Sequence, residues 1–178
     1  MSELLKEFEN SIKNNVGDII EIGAGDGDTT IYLANLGMKY NRNVYVIDPF
    51  EAGWENMPDS YGSPYPFSIF KKRVLDKYNN VILIKKLSND PTIVNQLKKP
   101  ISLAFVDGLQ YEKNVIEDLD LVQSLQSGVI CVDDFERDTD ISQVPQAISK
   151  FLPNSNYRLL KVLKHFVRDT SVAILKAK

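Results

Sequence analysis

Two runs in the second half of the chain, ISLAFVD at 101–107 and GVICVD at 128–133, are apolar at nearly every position. A strand with one wet face alternates apolar and polar residues, so these two need cover on both faces, as in a parallel sheet sandwiched between helices. The intervening segment 111–125 supplies such cover, with Val115, Ile116, Leu119, Val122 and Leu125 on one helical stripe. The same reading places strands at 18–22, 43–48 and 80–85. Helices are expected near the N-terminus within 1–16 and at 29–38, 67–78, 90–97 and 141–151. Strands at 157–163 and 171–175 are expected to close the chain as an antiparallel pair. This alternation predicts a single α/β domain over 1–178, Rossmann-like and doubly wound. Its sheet would be mostly parallel and seven-stranded, with an antiparallel C-terminal strand. In such a sheet ligands sit at the carboxyl ends of the strands.

Composition narrows the function. Hydrophobic residues make up 43% of the 178, enough for a real core, and the formal net charge is −3. An acidic chain lacks the basic face that nucleic acid demands, so a nucleic-acid partner is not expected. The small basic groups Lys71-Lys72-Arg73, Lys85-Lys86 and Lys98-Lys99 read as solvated rims. The single cysteine, Cys131, lies inside an apolar strand and reads as packing, and it has no second cysteine to pair with. With His165 the only histidine, Cys/His zinc sites and histidine-based triads are excluded. Any metal would be held by carboxylates and water. No apolar run approaches the ~20 residues of a membrane span, and a cytoplasmic location with no membrane partner is expected. Oligomeric state is left open.

The strand at 18–22 runs into Glu21-Ile22-Gly23-Ala24-Gly25-Asp26-Gly27-Asp28. Glycines at a strand-to-helix turn permit positive φ and close approach of a ligand. A dinucleotide fingerprint, G-x-G-x-x-G from Gly23, would need glycine where Asp28 stands, and a carboxylate there repels a pyrophosphate. The turn suits a cofactor without phosphate and with a cationic group. Asp48, at the end of the second strand, is placed to accept hydrogen bonds from both hydroxyls of a ribose.

EIGAGDG together with Asp48 resembles motif I and the acidic ribose residue of class I S-adenosylmethionine-dependent methyltransferases. Two further stretches, Phe105-Val106-Asp107-Gly108-Leu109-Gln110-Tyr111 with Asp118, and Gly128 to Asp134, are similar to segments of a small-molecule O-methyltransferase branch, the macrocin and catechol O-methyltransferase-like enzymes. The resemblance implies S-adenosylmethionine as cofactor, held by Glu21, Gly23, Gly25, Gly27, Asp48, Pro49, Ser88 and Asp107, with Ser88 as an adenine contact. It implies methyl transfer to a hydroxyl of a small molecule or sugar, with Asp107 and Asp133 as catalytic candidates. It also implies a divalent cation such as Mg²⁺ held by Asp107, Asp133 and Asp134, so metal-assisted and metal-independent transfer both stay open. Gln110 stands where the branch carries histidine or lysine, and Leu109 where macrocin-type enzymes place an acid. The other reading is a non-catalytic S-adenosylmethionine- or nucleotide-binding protein of the same fold. Residues 49–66, with four prolines, two glycines and Trp54, Tyr61 and Tyr65, read as a long loop that serves as lid and acceptor-recognition surface.

Overall fold

The structure is a computed structural model and describes residues 2–50, 66–136, 142–165 and 170–178. Ser2 caps the first helix, α1 (Glu3–Asn14), by accepting the Leu5 N–H at 3.3 Å. Leu4, Phe8 and Ile12 of α1, four residues apart, are all fully buried. Next come β1 (Asp18–Ile22), α2 (Asp28–Tyr40) and β2 (Val44–Ile47). A short helix α3 (Phe67–Phe70) runs directly into a π-helical turn, Lys71–Leu75. β3 (Val81–Ile84), β4 (Ile101–Val106), α4 (Glu112–Ser124), β5 (Val129–Val132), α5 (Val144–Phe151), β6 (Tyr157–Lys164) and β7 (Ser171–Ala177) complete the order.

The strands form one sheet in the order β3-β2-β1-β4-β5-β7-β6. β1 to β5 are mutually parallel, and β7 runs antiparallel between β5 and β6. Six strands therefore point one way and the C-terminal strand the other, as expected from the sequence. Each face has its own core. Ile20, Ile22, Ala104, Val106, Ile130 and Val132 pack under α4 and α5. Their sequence neighbours Ile19, Leu103, Phe105 and Cys131 pack under α1, α2 and the α3 segment. The period-2 alternation of strand side chains divides them in this way and accounts for the unbroken apolar runs. Cys131 is wholly buried, and burial pushes its thiol well above the usual range.

Two expected helices come out differently. The segment at 90–97 holds only a 3₁₀ turn, Val94–Gln96. Asp90 accepts hydrogen bonds from the Thr92 N–H and hydroxyl, a local side-chain turn that competes with helix, while Ile93 anchors the segment in the core. The helix at 67–78 is the α3 segment, which widens to π geometry from Lys71. The lid expected at 49–66 falls, over 51–65, outside the described residues, as does the link between β6 and β7 at 166–169. Among the described residues no helix is long and apolar enough to cross a membrane.

Candidate active site

The sheet register sets the site. Ile47, Ile22, Val106 and Val132, the last residues of β2, β1, β4 and β5, stand side by side. The residues that follow them, Asp48, Gly23, Asp107 and Asp133, therefore form a row along the carboxyl edge. Backbone hydrogen bonds continue the ladder into that row: Gly23 N–H to Ile47 O at 2.9 Å, Asp107 N–H to Ile22 O at 2.8 Å, and Asp133 N–H to Val106 O at 2.9 Å. The row spans β1 and β4, where the chain order of the strands reverses, the place at which open α/β sheets bind ligands.

Beside the row rises the glycine turn. Gly23, Gly25 and Gly27 all have positive φ, at 82°, 53° and 94°. At Gly23 a Cβ would fall on the Asp107 carbonyl oxygen, so glycine lets the β1 and β4 loops meet. Asp48 holds the turn from β2. Its Oδ2 accepts the N–H groups of Ala24 at 2.8 Å and Gly25 at 3.3 Å, and its Oδ1 accepts that of Phe50 at 2.7 Å. Glu21 is buried below the turn, where its carboxylate accepts the Thr30 hydroxyl at 2.6 Å and ties β1 to the first turn of α2. Pro49 is half-buried directly after Asp48.

Asp107, Gly108, Leu109, Gln110, Val115, Asp133 and Val144 line a small crevice of roughly 10 Å³, room for about one water. Asp107 is half-buried and forms part of its wall. The three aspartates expected to cage a metal do not converge. The Asp133 carboxylate is fully buried, with Oδ2 3.7 Å from Nε2 of the equally buried His165. Asp134, with φ 56°, receives a hydrogen bond from the Gln110 amide. Among the described residues no group of three acids, cysteines or histidines is placed to hold a metal ion. The Mg²⁺ expectation is therefore unsupported, because two of its three ligands are turned to protein partners.

Three relationships escaped the sequence reading. Arg73, taken with its neighbours as a solvated rim, forks onto Asp26 and Asp28 of the glycine turn. His165 pairs with Asp133, and nothing in their spacing announces it. Asp118 carried a signal, an acid beside Leu119 on the inward stripe of its helix. It is buried and lies where a Cβ on Gly108 would come 2.9 Å from its Oδ2. Burial raises its pKa to about 7, partly offset by Ser88. Ser88, half-buried, lies in the loop after β3.

No family model and no curated relative matches this chain. Solved structures do. A candidate rRNA methylase from Clostridium thermocellum superposes with a TM-score of 0.69 at 15% identity, covering 99% of this chain and 97% of that one. The fold is the Rossmann-like methyltransferase fold. A TDP-rhamnose 3'-O-methyltransferase of calicheamicin biosynthesis matches with a TM-score of 0.65 at 18% identity, over 97% of this chain and 77% of that one. Aeropyrum pernix fibrillarin, with natively bound S-adenosyl-L-methionine, matches at 0.63 and 17%, over 96% and 74%. These neighbours include enzymes named for small molecules and for RNA, so the methyltransferase fold is common to them and the acceptor is not.

Proposed function

We propose that this chain binds S-adenosylmethionine across the β1 and β2 strand ends and transfers its methyl group to a hydroxyl of a small polar molecule or sugar. The observation that carries the reading is the glycine turn with three left-handed residues, pinned by the Asp48 carboxylate and set against the β4 loop. That cradle offers close backbone approach and a carboxylate, with no lysine and no pyrophosphate-type third glycine at position 28. It fits a cationic nucleoside better than a dinucleotide.

The sulfonium supplies an already activated methyl group when bound. The chain supplies placement. Gly23, Gly25 and Gly27 receive the amino-acid portion, with Glu21 holding the turn from below. Asp48 and Pro49 face the ribose, and Ser88 borders the adenine. Asp107 stands in the strand-end row beside this region, where its carboxylate accepts the proton of the acceptor hydroxyl as oxygen attacks the methyl carbon and the sulfur–carbon bond breaks. Holding oxygen, carbon and sulfur in line is the main contribution of such a site. No step is routed through a metal, since Asp133 and Asp134 are engaged by His165 and Gln110.

Calorimetric titration with S-adenosylmethionine, S-adenosylhomocysteine and NAD tests the reading. Micromolar uptake of the first two and none of the third is expected. Uptake of NAD alone overturns it. Label from methyl-tritiated S-adenosylmethionine should then enter a small-molecule extract and not RNA, with unchanged yield in EDTA.

A further inference from the structure

The glycine turn is gripped from two sides, and only one of the grips belongs to the strand-end row. Asp48 holds the N–H groups of Ala24 and Gly25. On the other side Arg73 spans the turn, one guanidinium nitrogen on the Asp26 carboxylate and the other on that of Asp28. The arginine is 47 and 45 residues away from these acids in sequence. It sits in the π-helical turn Lys71–Leu75, whose Val74 packs so closely on Gly27 that a Cβ there would lie 2.5 Å from the valine Cγ2.

We propose that Arg73 is a positioning residue for cofactor binding, acting through Asp26 and Asp28 to hold the glycine turn in its receptive shape. The inference rests on the reading that this turn receives S-adenosylmethionine. Three left-handed glycines in five residues have unusually many alternatives in the absence of restraint. A turn that samples them must be ordered by the ligand, and that cost is subtracted from affinity. Two carboxylates two residues apart would also repel each other and splay the turn. A planar fork that meets both answers each problem at once, and lysine cannot bridge both acids in the same way. The three side chains are between 32% and 45% exposed, so an isolated pair would contribute little. The effect is expected to come from joining two acids on one flexible turn, and to show in ligand affinity more than in global stability.

The test is calorimetric titration of S-adenosylhomocysteine into the full chain, with the thermal midpoint of the ligand-free protein measured in parallel. Arg73→Gln is expected to raise Kd about tenfold with a midpoint within a few degrees of wild type. Arg73→Lys, which keeps the charge but reaches one acid at a time, is expected to recover part of the loss. If Arg73→Gln does not fold, the Asp26→Asn/Asp28→Asn pair carries the test, with the same rise in Kd expected. A Kd within twofold of wild type in the folded variant overturns the proposal, as does full loss in Arg73→Lys equal to that in Arg73→Gln. Absence of uptake by wild type would instead remove the cofactor reading itself, so the two failures are distinguishable.

Discussion

The Asp48 carboxylate and the Ala24 N–H lie 2.8 Å apart, a hydrogen bond between the end of β2 and the turn after β1 across 24 residues of chain. It shows that the acid expected to grip a ribose also shapes the glycine turn. The two roles share one carboxylate, and its substitution should report both.

Asp48→Ala removes the acceptor for three backbone N–H groups. Hydrogen bonds to a charged partner contribute about 1.5–3 kcal/mol each, and solvent can replace part of that at a half-buried site. A loss of about 2 kcal/mol in unfolding free energy, with at least tenfold weaker uptake of S-adenosylhomocysteine, is expected. Asp48→Asn, which keeps one carbonyl oxygen, should fall between. Chemical denaturation and calorimetry on the same samples read both effects.

Gly27→Ala meets two obstacles, a φ of 94° and the Val74 Cγ2. Together they should cost about 2–3 kcal/mol, combining backbone strain with overpacking. Adding Val74→Ala should return only the packing part. If the double variant matches wild type, the strain argument fails.

Asp118 makes stability depend on pH with a definite sign. Its folded pKa, about 7, lies above the ordinary carboxyl value of 3.8, so the folded protein holds a proton that the unfolded chain releases. Stability from this group is therefore present at low pH, declines as pH rises from about 4 to about 7, and is level above that. Asp118→Asn keeps the side-chain shape and cannot ionise. Its unfolding free energy relative to wild type should grow by a few kcal/mol between pH 5 and pH 8, at up to 1.4 kcal/mol per pH unit. Equal pH slopes for the two proteins would refute the buried-acid account.

The two acids of the row should separate by role. Asp133→Ala removes a fully buried carboxylate 3.7 Å from His165 and is expected to cost about 2 kcal/mol of stability. Asp107→Ala, at a half-buried position, is expected to lower methyl transfer at least a hundredfold, by more than any change in its thermal midpoint accounts for. Loss of turnover with intact stability in Asp133→Ala would reverse the assignment.

Much of the fold was legible residue by residue. The runs around Leu103 and Ile130 could be buried on both faces only in a helix-covered parallel sheet, and the glycines at 23, 25 and 27 announced a left-handed turn before α2. The segment at 90–97 misled, because Pro91 after an acid reads equally well as a helix start or as the side-chain turn that Asp90 makes with Thr92. Asp107, Asp133 and Asp134 looked equivalent as strand-end acids. In space the first is half-buried, the second is fully buried beside His165, and the third, at a positive φ, accepts from Gln110.

The amino-acid sequence by itself determined the order of strands and helices, the place of the glycine turn and the row of acids at the carboxyl edge. Those features follow from short-range sterics and from apolar periodicity, which act within a few residues. Tertiary structure alone decided the partners: Arg73 for Asp26 and Asp28, and His165 for Asp133. Each pairing joins segments 30 or more residues apart, where packing of whole elements sets which charge meets which and local sequence carries no trace of it.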